Sequence, residues 1–194
     1  MGRPAKFTDA DLVGAVGRIV AADGPGAVTI RTVAAEAGAP VGSIYHRFAS
    51  RELLVATAWV AAVQDFQAGY LAALTHPDVD EAARGAARHV PLWAGAHPEG
   101  AALLLRHSRA ELVGRWPDEL DDVLRDLNRP LLAALRAHAK ARYGRSGQAE
   151  LRHVRYALVH VPGAAVRATP RPATLADAVV DAALAALRAH TPAR

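Results

Sequence analysis

The stretch that most restricts what this chain can become is Thr29 to Arg51, TIRTVAAEAGAPVGSIYHRFASR. Thr29 has the chemistry of an N-cap: its hydroxyl can accept the orphan amide of Thr32, and Val28 can staple onto Val33 from outside. Ile30, Val33, Ala34 and Ala37 then recur with the rhythm of a helix that buries one face. Gly38 stands where a helix end asks for a left-handed residue, and Pro40 where the first position of a new helix tolerates a missing N–H. Small Ala34, Gly38 and branched Ile44 fall at the crossing, the turn and the angle between two short helices. The spacing predicts a helix-turn-helix, and such a pair places its second helix in the major groove of DNA.

The spelling of this stretch also resembles that of a known family. Thr29, Ala34, Ala37-Gly38, Gly42-Ser43-Ile44-Tyr45-His46, Phe48, Ser50-Arg51-Glu52 and Leu54 follow the DNA-binding segment of the tetracycline-repressor (TetR) family of bacterial regulators. The run ties many positions together but covers only about the first quarter of the chain. Two departures stand out. Pro40-Val41 occupies the place of a serine followed by a polar or basic residue, and Arg51 that of the usual lysine.

The resemblance implies an all-α protein. A three-helix helix-turn-helix head, residues 1–50, would be joined by a long helix to a helical ligand-binding and dimerisation body, residues 51–194. It implies a homodimer on a pseudo-palindromic operator in double-stranded DNA, released when a small-molecule effector shifts the population of states. That describes a repressor in the cytoplasm. The alternative on the same head is an architectural DNA-binding protein that tolerates many sequences.

Composition narrows the alternatives. At 194 residues the chain is long enough for a substantial core, and it contains no cysteine, which excludes disulfides and thiolate chemistry. The net charge of +4 suits a polyanionic partner only weakly, because every basic residue except Lys6 and Lys140 is arginine, a bias that coding alone can produce. No apolar run is long enough to span a bilayer, and MGRPAKFTDADL is no signal peptide. Zinc-protease, nucleophile-elbow, phosphate-loop and dinucleotide signatures are absent, so neither an enzyme nor a cofactor is expected. His153, Tyr156 and His160 share a helix face without a carboxylate to complete a set, so no metal site is expected either.

The remaining chain reads as helices. The first should cover residues 9–22, capped by Thr8, with Asp9 and Asp11 at its positive end and Leu12, Val13, Val16, Ile19 and Val20 buried. Patterns follow over 51–74, 79–94, 98–109, 117–143 with a break near Asn128 ahead of Pro130, 148–161 up to Pro162-Gly163, and 175–190. Leu151, Val154, Leu158 and Val161 on one of the last two helices, with Val179, Ala182, Ala183, Ala186 and Leu187 on the other, suit a four-helix dimer interface.

Site roles follow from position. Val41, Gly42 and Ser43 would lie nearest the bases, with Tyr45 and His46 one turn on; the resemblance implies that Tyr45 gives its hydroxyl to a phosphate. Thr29, Arg31 and Thr32 mark a helix N-terminus suited to phosphate, and Arg51 stands at the next one. Arg3 and Lys6 form a short basic arm. Trp93, Arg106, His107, Trp116, Tyr156 and His160 are the polar-tipped or aromatic residues proposed to line an effector cavity.

Overall fold

The computed structural model describes residues 7–106 and 118–189, and every regular element within them is helical. Helix α1 (Asp9–Asp23) begins with a capping box: Thr8 Oγ1 accepts the Asp11 amide at 3.2 Å, and Asp11 accepts the Thr8 amide at 2.7 Å. It ends at Gly24, where φ is 84°, and a single 3₁₀ turn (Pro25–Ala27) leads into α2 (Ile30–Ala37) and α3 (Val41–Tyr45). Helix α4 (Arg51–Leu74) follows, with the Leu53 amide donating to Ser50 Oγ at 3.0 Å. These limits agree with the sequence expectation to within a residue or so. They are set by side-chain caps that reach only three positions along the chain.

The chain divides into two compact units: the described residues of Met1–Val63 with Pro98–Arg125, and those of Gln64–His97 with Asp126–Arg194. In the first, Leu12, Val16, Val20, Val33, Ile44 and Leu54 close a core that also takes Leu103 of α6 (Pro98–Arg106). Helices α1 and α6 meet where α1 has no side chain; a Cβ added to Gly17 would lie 3.1 Å from Glu99 Cβ. Arg106 then donates to the Val20 carbonyl at 2.6 Å, adding a second donor to the acceptor that the Gly24 amide already meets at the end of α1.

The second unit is built on small residues. Helix α5 (Val79–Ala96) starts at Asp78, whose Oδ1 accepts the amides of Asp80 and Glu81, and it runs through a buried Pro91 without ending. After α7 (Asp121–Leu127) the chain breaks at Asn128, and α8 (Arg129–Tyr143) restarts with Pro130 in its first turn, as expected. The tail comprises α9 (Gln148–Arg155), a π turn (Tyr156–His160), α10 (Val161–Ala168), a 3₁₀ turn (Pro172–Leu175) and α11 (Ala176–Ala189). No helix among the described residues is long and apolar enough to cross a membrane.

Two sequence expectations for this tail are corrected. Pro162 was expected to kink or end its helix, yet helical structure continues to Ala168 and the irregularity lies one turn earlier, as the π turn. In a regular helix the Leu158 carbonyl would accept the N–H of residue 162, which proline lacks. Tyr70 of α4 supplies the donor instead, its hydroxyl 2.9 Å from the Leu158 oxygen in a fully buried setting. The second correction concerns the face read as intermolecular: Val154, Leu158, Val179, Ala183 and Leu187 fill this unit's own core.

Candidate nucleic-acid interface

The N-terminus of α2 is shaped by two threonines acting on each other. Thr29 Oγ1 accepts the Thr32 amide at 3.1 Å, while Thr32 Oγ1 accepts the Thr29 amide at 2.8 Å and is 2.8 Å from the Ala27 carbonyl. Both side chains are thereby committed to holding the helix start. No acceptor among the described residues takes the amides of Ile30 and Arg31, and the Arg31 side chain is exposed beside them. Free amides and the positive end of the helix dipole favour an anion at this helix start.

The turn after α2 has its glycine in the left-handed region, with Gly38 at φ 63° and ψ 25°; the Ala39 amide reaches back 2.9 Å to the Ala34 carbonyl. Pro40 lies one place earlier than the sequence suggested. It precedes α3 in an extended conformation, with ψ at 138°, instead of opening the helix. Its carbonyl is the first acceptor of the new helix and takes both the Ser43 amide at 3.0 Å and the Ser43 hydroxyl at 2.7 Å.

Ile44 is completely buried and anchors α3 in the angle against the core. On a helix the positions two either side of it point away, and these are Gly42 and His46, both exposed. Val41 and Tyr45 flank them at 41% and 57% exposure, high values for large apolar bodies that the protein leaves uncovered. The outward face of α3 therefore presents a glycine, a histidine, a valine, a tyrosine and a half-buried serine. No carboxylate stands on it. Exposed ion pairs secure its frame at the edges, Arg47 to Asp9 at 2.9 Å and Arg18 to Glu36 at 2.6 Å.

Arg51 behaves differently from a free cation. Its Nε donates to the Val28 carbonyl at 2.5 Å, one Nη to the Pro25 carbonyl at 3.2 Å, and the other faces Glu52 at 3.3 Å. The planar fork thus ties the start of α4 to the turn before α2, and what remains for a phosphate is its outer edge.

The candidate effector residues have varied surroundings. Trp93 is enclosed in the second unit, donating its indole N–H to Asp65 at 2.7 Å and packing edge-on to Phe66 at 5.3 Å. Arg106 caps α1 as described above. Tyr156, 54% exposed, and His160 share the open side of the π turn. His107 and Trp116, like Arg3 and Lys6 of the arm, lie outside the described residues. Sequence reasoning passed over the buried polar groups Gln67, His138 and Glu150. Gln67 of α4 reaches Asn128 at 3.2 Å, and His138 of α8 is 5% exposed with no partner for its Nε2 among the described residues. Burial pushes the His138 imidazole down to about 4, helped by the neighbouring Arg142 and opposed by Asp80. Only the helical register hinted at any of them.

Residues 18–58, which span α2, α3 and the start of α4, match the profile of the bacterial regulatory proteins of the tetR family. That segment carries the tetR-family helix-turn-helix. No curated protein sequence matches it, but solved structures of the same architecture do. PfmR from Thermus thermophilus, a TetR-family transcriptional regulator, superposes with a TM-score of 0.76 at 16% identity over 97% of this chain and 100% of its own. FadR from Bacillus subtilis in complex with stearoyl-CoA gives 0.72 at 14% identity, covering 92% of this chain and 99% of that one. SCO4454 of Streptomyces coelicolor gives 0.67 at 23% identity over 92% and 93%. At such identities the likeness concerns the fold. Of the departures in this segment, Pro40 and Arg51 have hydrogen-bond partners in the structure, whereas Val41 is exposed.

Proposed function

We propose that this chain is a cytoplasmic, ligand-responsive transcriptional repressor that binds a pseudo-palindromic operator as a homodimer. Residues 1–50 serve DNA and residues 51–194 serve effector and partner. The observation that carries the reading is the outward face of α3, whose apolar and neutral polar side chains are uncovered and unopposed by acid, next to the open N-terminus of α2. Arg31 and the α2 amides take phosphate, Tyr45 and His46 take phosphate or base, and Val41 packs on a thymine methyl. Because α3 carries no bidentate base reader, backbone contacts supply much of the affinity.

The partner surface is the solvent side of α11, where Ala178, Ala182, Ala185 and Ala189 are exposed. Alanine lets two helices approach closely. Asp181 and Arg188, seven residues apart, lie along one flank of that face, so an antiparallel copy would set each opposite the other. A second head placed about 34 Å away then meets the next major groove on the same side of the duplex. The effector is a small molecule taken up by the helical body. Stearoyl-CoA, bound in the FadR structure, is the first compound to test.

The test is enrichment of random duplexes by the full-length protein at physiological salt. An inverted repeat supports an operator-binding dimer. Featureless bound DNA would support an architectural protein, and failure to bind would refute both. On the selected duplex, a plot of log K against log salt with a slope of only about −1 or −2, the mark of one or two phosphates, contradicts the backbone-dominated account.

A further inference from the structure

Serine is ordinarily an ambiguous reader, because its hydroxyl can give or take a hydrogen bond. In this head the ambiguity is removed. The Ser43 hydroxyl hydrogen is spent on the Pro40 carbonyl at 2.7 Å, within the same turn that receives the Ser43 amide at 3.0 Å. What the oxygen still offers is lone pairs. Its neighbour Gly42 is equally specific in what it omits. No atom lies within 4 Å of where a Gly42 Cβ would stand, and its φ is not positive. Neither packing nor backbone geometry calls for glycine there, and a helix is weakened by having one.

Resting on the DNA-binding reading above, we infer that Ser43 selects a base that presents its amino group in the major groove, adenine or cytosine, and that Gly42 sets how deeply α3 enters the groove. In the major groove adenine N6 and cytosine N4 are donors, whereas guanine N7 and O6 and thymine O4 are acceptors. An oxygen limited to accepting pairs with the first two and meets lone pair against lone pair with the others. Serving guanine or thymine would require the hydroxyl to turn away from Pro40 and leave that carbonyl one bond short. Val41, with no polar atom, cannot take over the role. Gly42 lies opposite the Ile44 anchor on the exposed face of α3, so any side chain there stands between the helix backbone and the base edges.

The full-length protein and its Ser43→Ala, Ser43→Thr and Gly42→Ala variants are each incubated with random duplexes, and the bound fraction is sequenced. Thermal melts run alongside confirm that each variant folds. The expected wild-type motif has, in each half-site, one base-pair column whose preference depends on Ser43. Ser43→Ala lowers the preference at that column about fivefold and leaves the other columns unchanged, while Ser43→Thr keeps it. Gly42→Ala melts no lower than wild type, yet binds the selected site at least about tenfold more weakly, the loss expected when a methyl holds the helix off its contacts. An identical motif from Ser43→Ala, or a Ser43→Thr protein that loses the preference, overturns the inference while leaving the regulator reading intact. So does a Gly42→Ala protein that binds as tightly as wild type. Absence of any enriched motif with the wild-type protein overturns the inference together with the reading on which it rests.

Discussion

Removing a single oxygen atom, by Tyr70→Phe, tests how the second unit tolerates Pro162. Tyr70 is 1% exposed and its hydroxyl is the donor that reaches the Leu158 carbonyl, 2.9 Å away. Phenylalanine keeps the ring, its 5.5 Å stacking on Phe66 and nearly all of the buried area, so packing is a minor part of the change. What is lost is the partner of a buried carbonyl, which costs about 1–3 kcal/mol. With a urea dependence of about 2 kcal/mol per molar, the unfolding midpoint should fall by roughly 1 M, read by circular dichroism at fixed protein concentration. In a Pro162→Ala background the residue 162 amide is restored and can take over the Leu158 carbonyl, so Tyr70→Phe should cost markedly less there than in the wild type. Equal costs in the two backgrounds would falsify the link between the hydroxyl and the proline.

Other perturbations test separate parts of the structure. His138 has its imidazole lowered from an ordinary 6.5 to about 4, so the unfolded chain binds the proton more readily across that interval. Its contribution is complete above about pH 6.5 and is lost as pH falls towards 4, about 3 kcal/mol at full development; His138→Leu should flatten that part of the stability profile. A methyl at Gly69 would collide with the His89 ring, whose Nε2 lies 2.9 Å from the Phe66 carbonyl. Gly69→Ala should therefore lower the melting temperature, whereas in a His89→Ala background the same change should stabilise by about 1 kcal/mol through helix propensity. Arg51→Lys should destabilise the protein by about 1 kcal/mol in urea unfolding, because an ammonium cannot bridge the Val28 and Pro25 carbonyls together; an unchanged midpoint would show that the fork holds nothing.

The head was largely legible in the residues because its signals are local. Thr8 with Asp11 and Thr29 with Thr32 are pairs three residues apart, and Gly38 determines the turn by its own backbone freedom. The break at Asn128 was visible for the same reason, since Pro130 restricts only its immediate neighbours. The misplacements come from elsewhere. Pro40 slid one position because its own ψ of 138° is extended, so that it caps α3 instead of opening it. The carbonyls that the Arg51 fork answers, 23 and 26 residues upstream, left no local mark either. The apolar stripe of α11 looked like an interface because periodicity reports that a face is buried, not what buries it.

Considered alone, then, the chain specified its helices, their caps, the helix-turn-helix and the family spelling that accompanies it, all of which depend on contacts within one or two turns. Tertiary structure decided which way Arg51 and Arg106 turn, which carbonyl Tyr70 rescues, which side of α11 is left to solvent and where His138 is buried. Those outcomes depend on groups brought together from distant parts of the chain. A backbone donor or a buried face acquires its partner only when other helices arrive, and no spacing along one helix records which helix that will be.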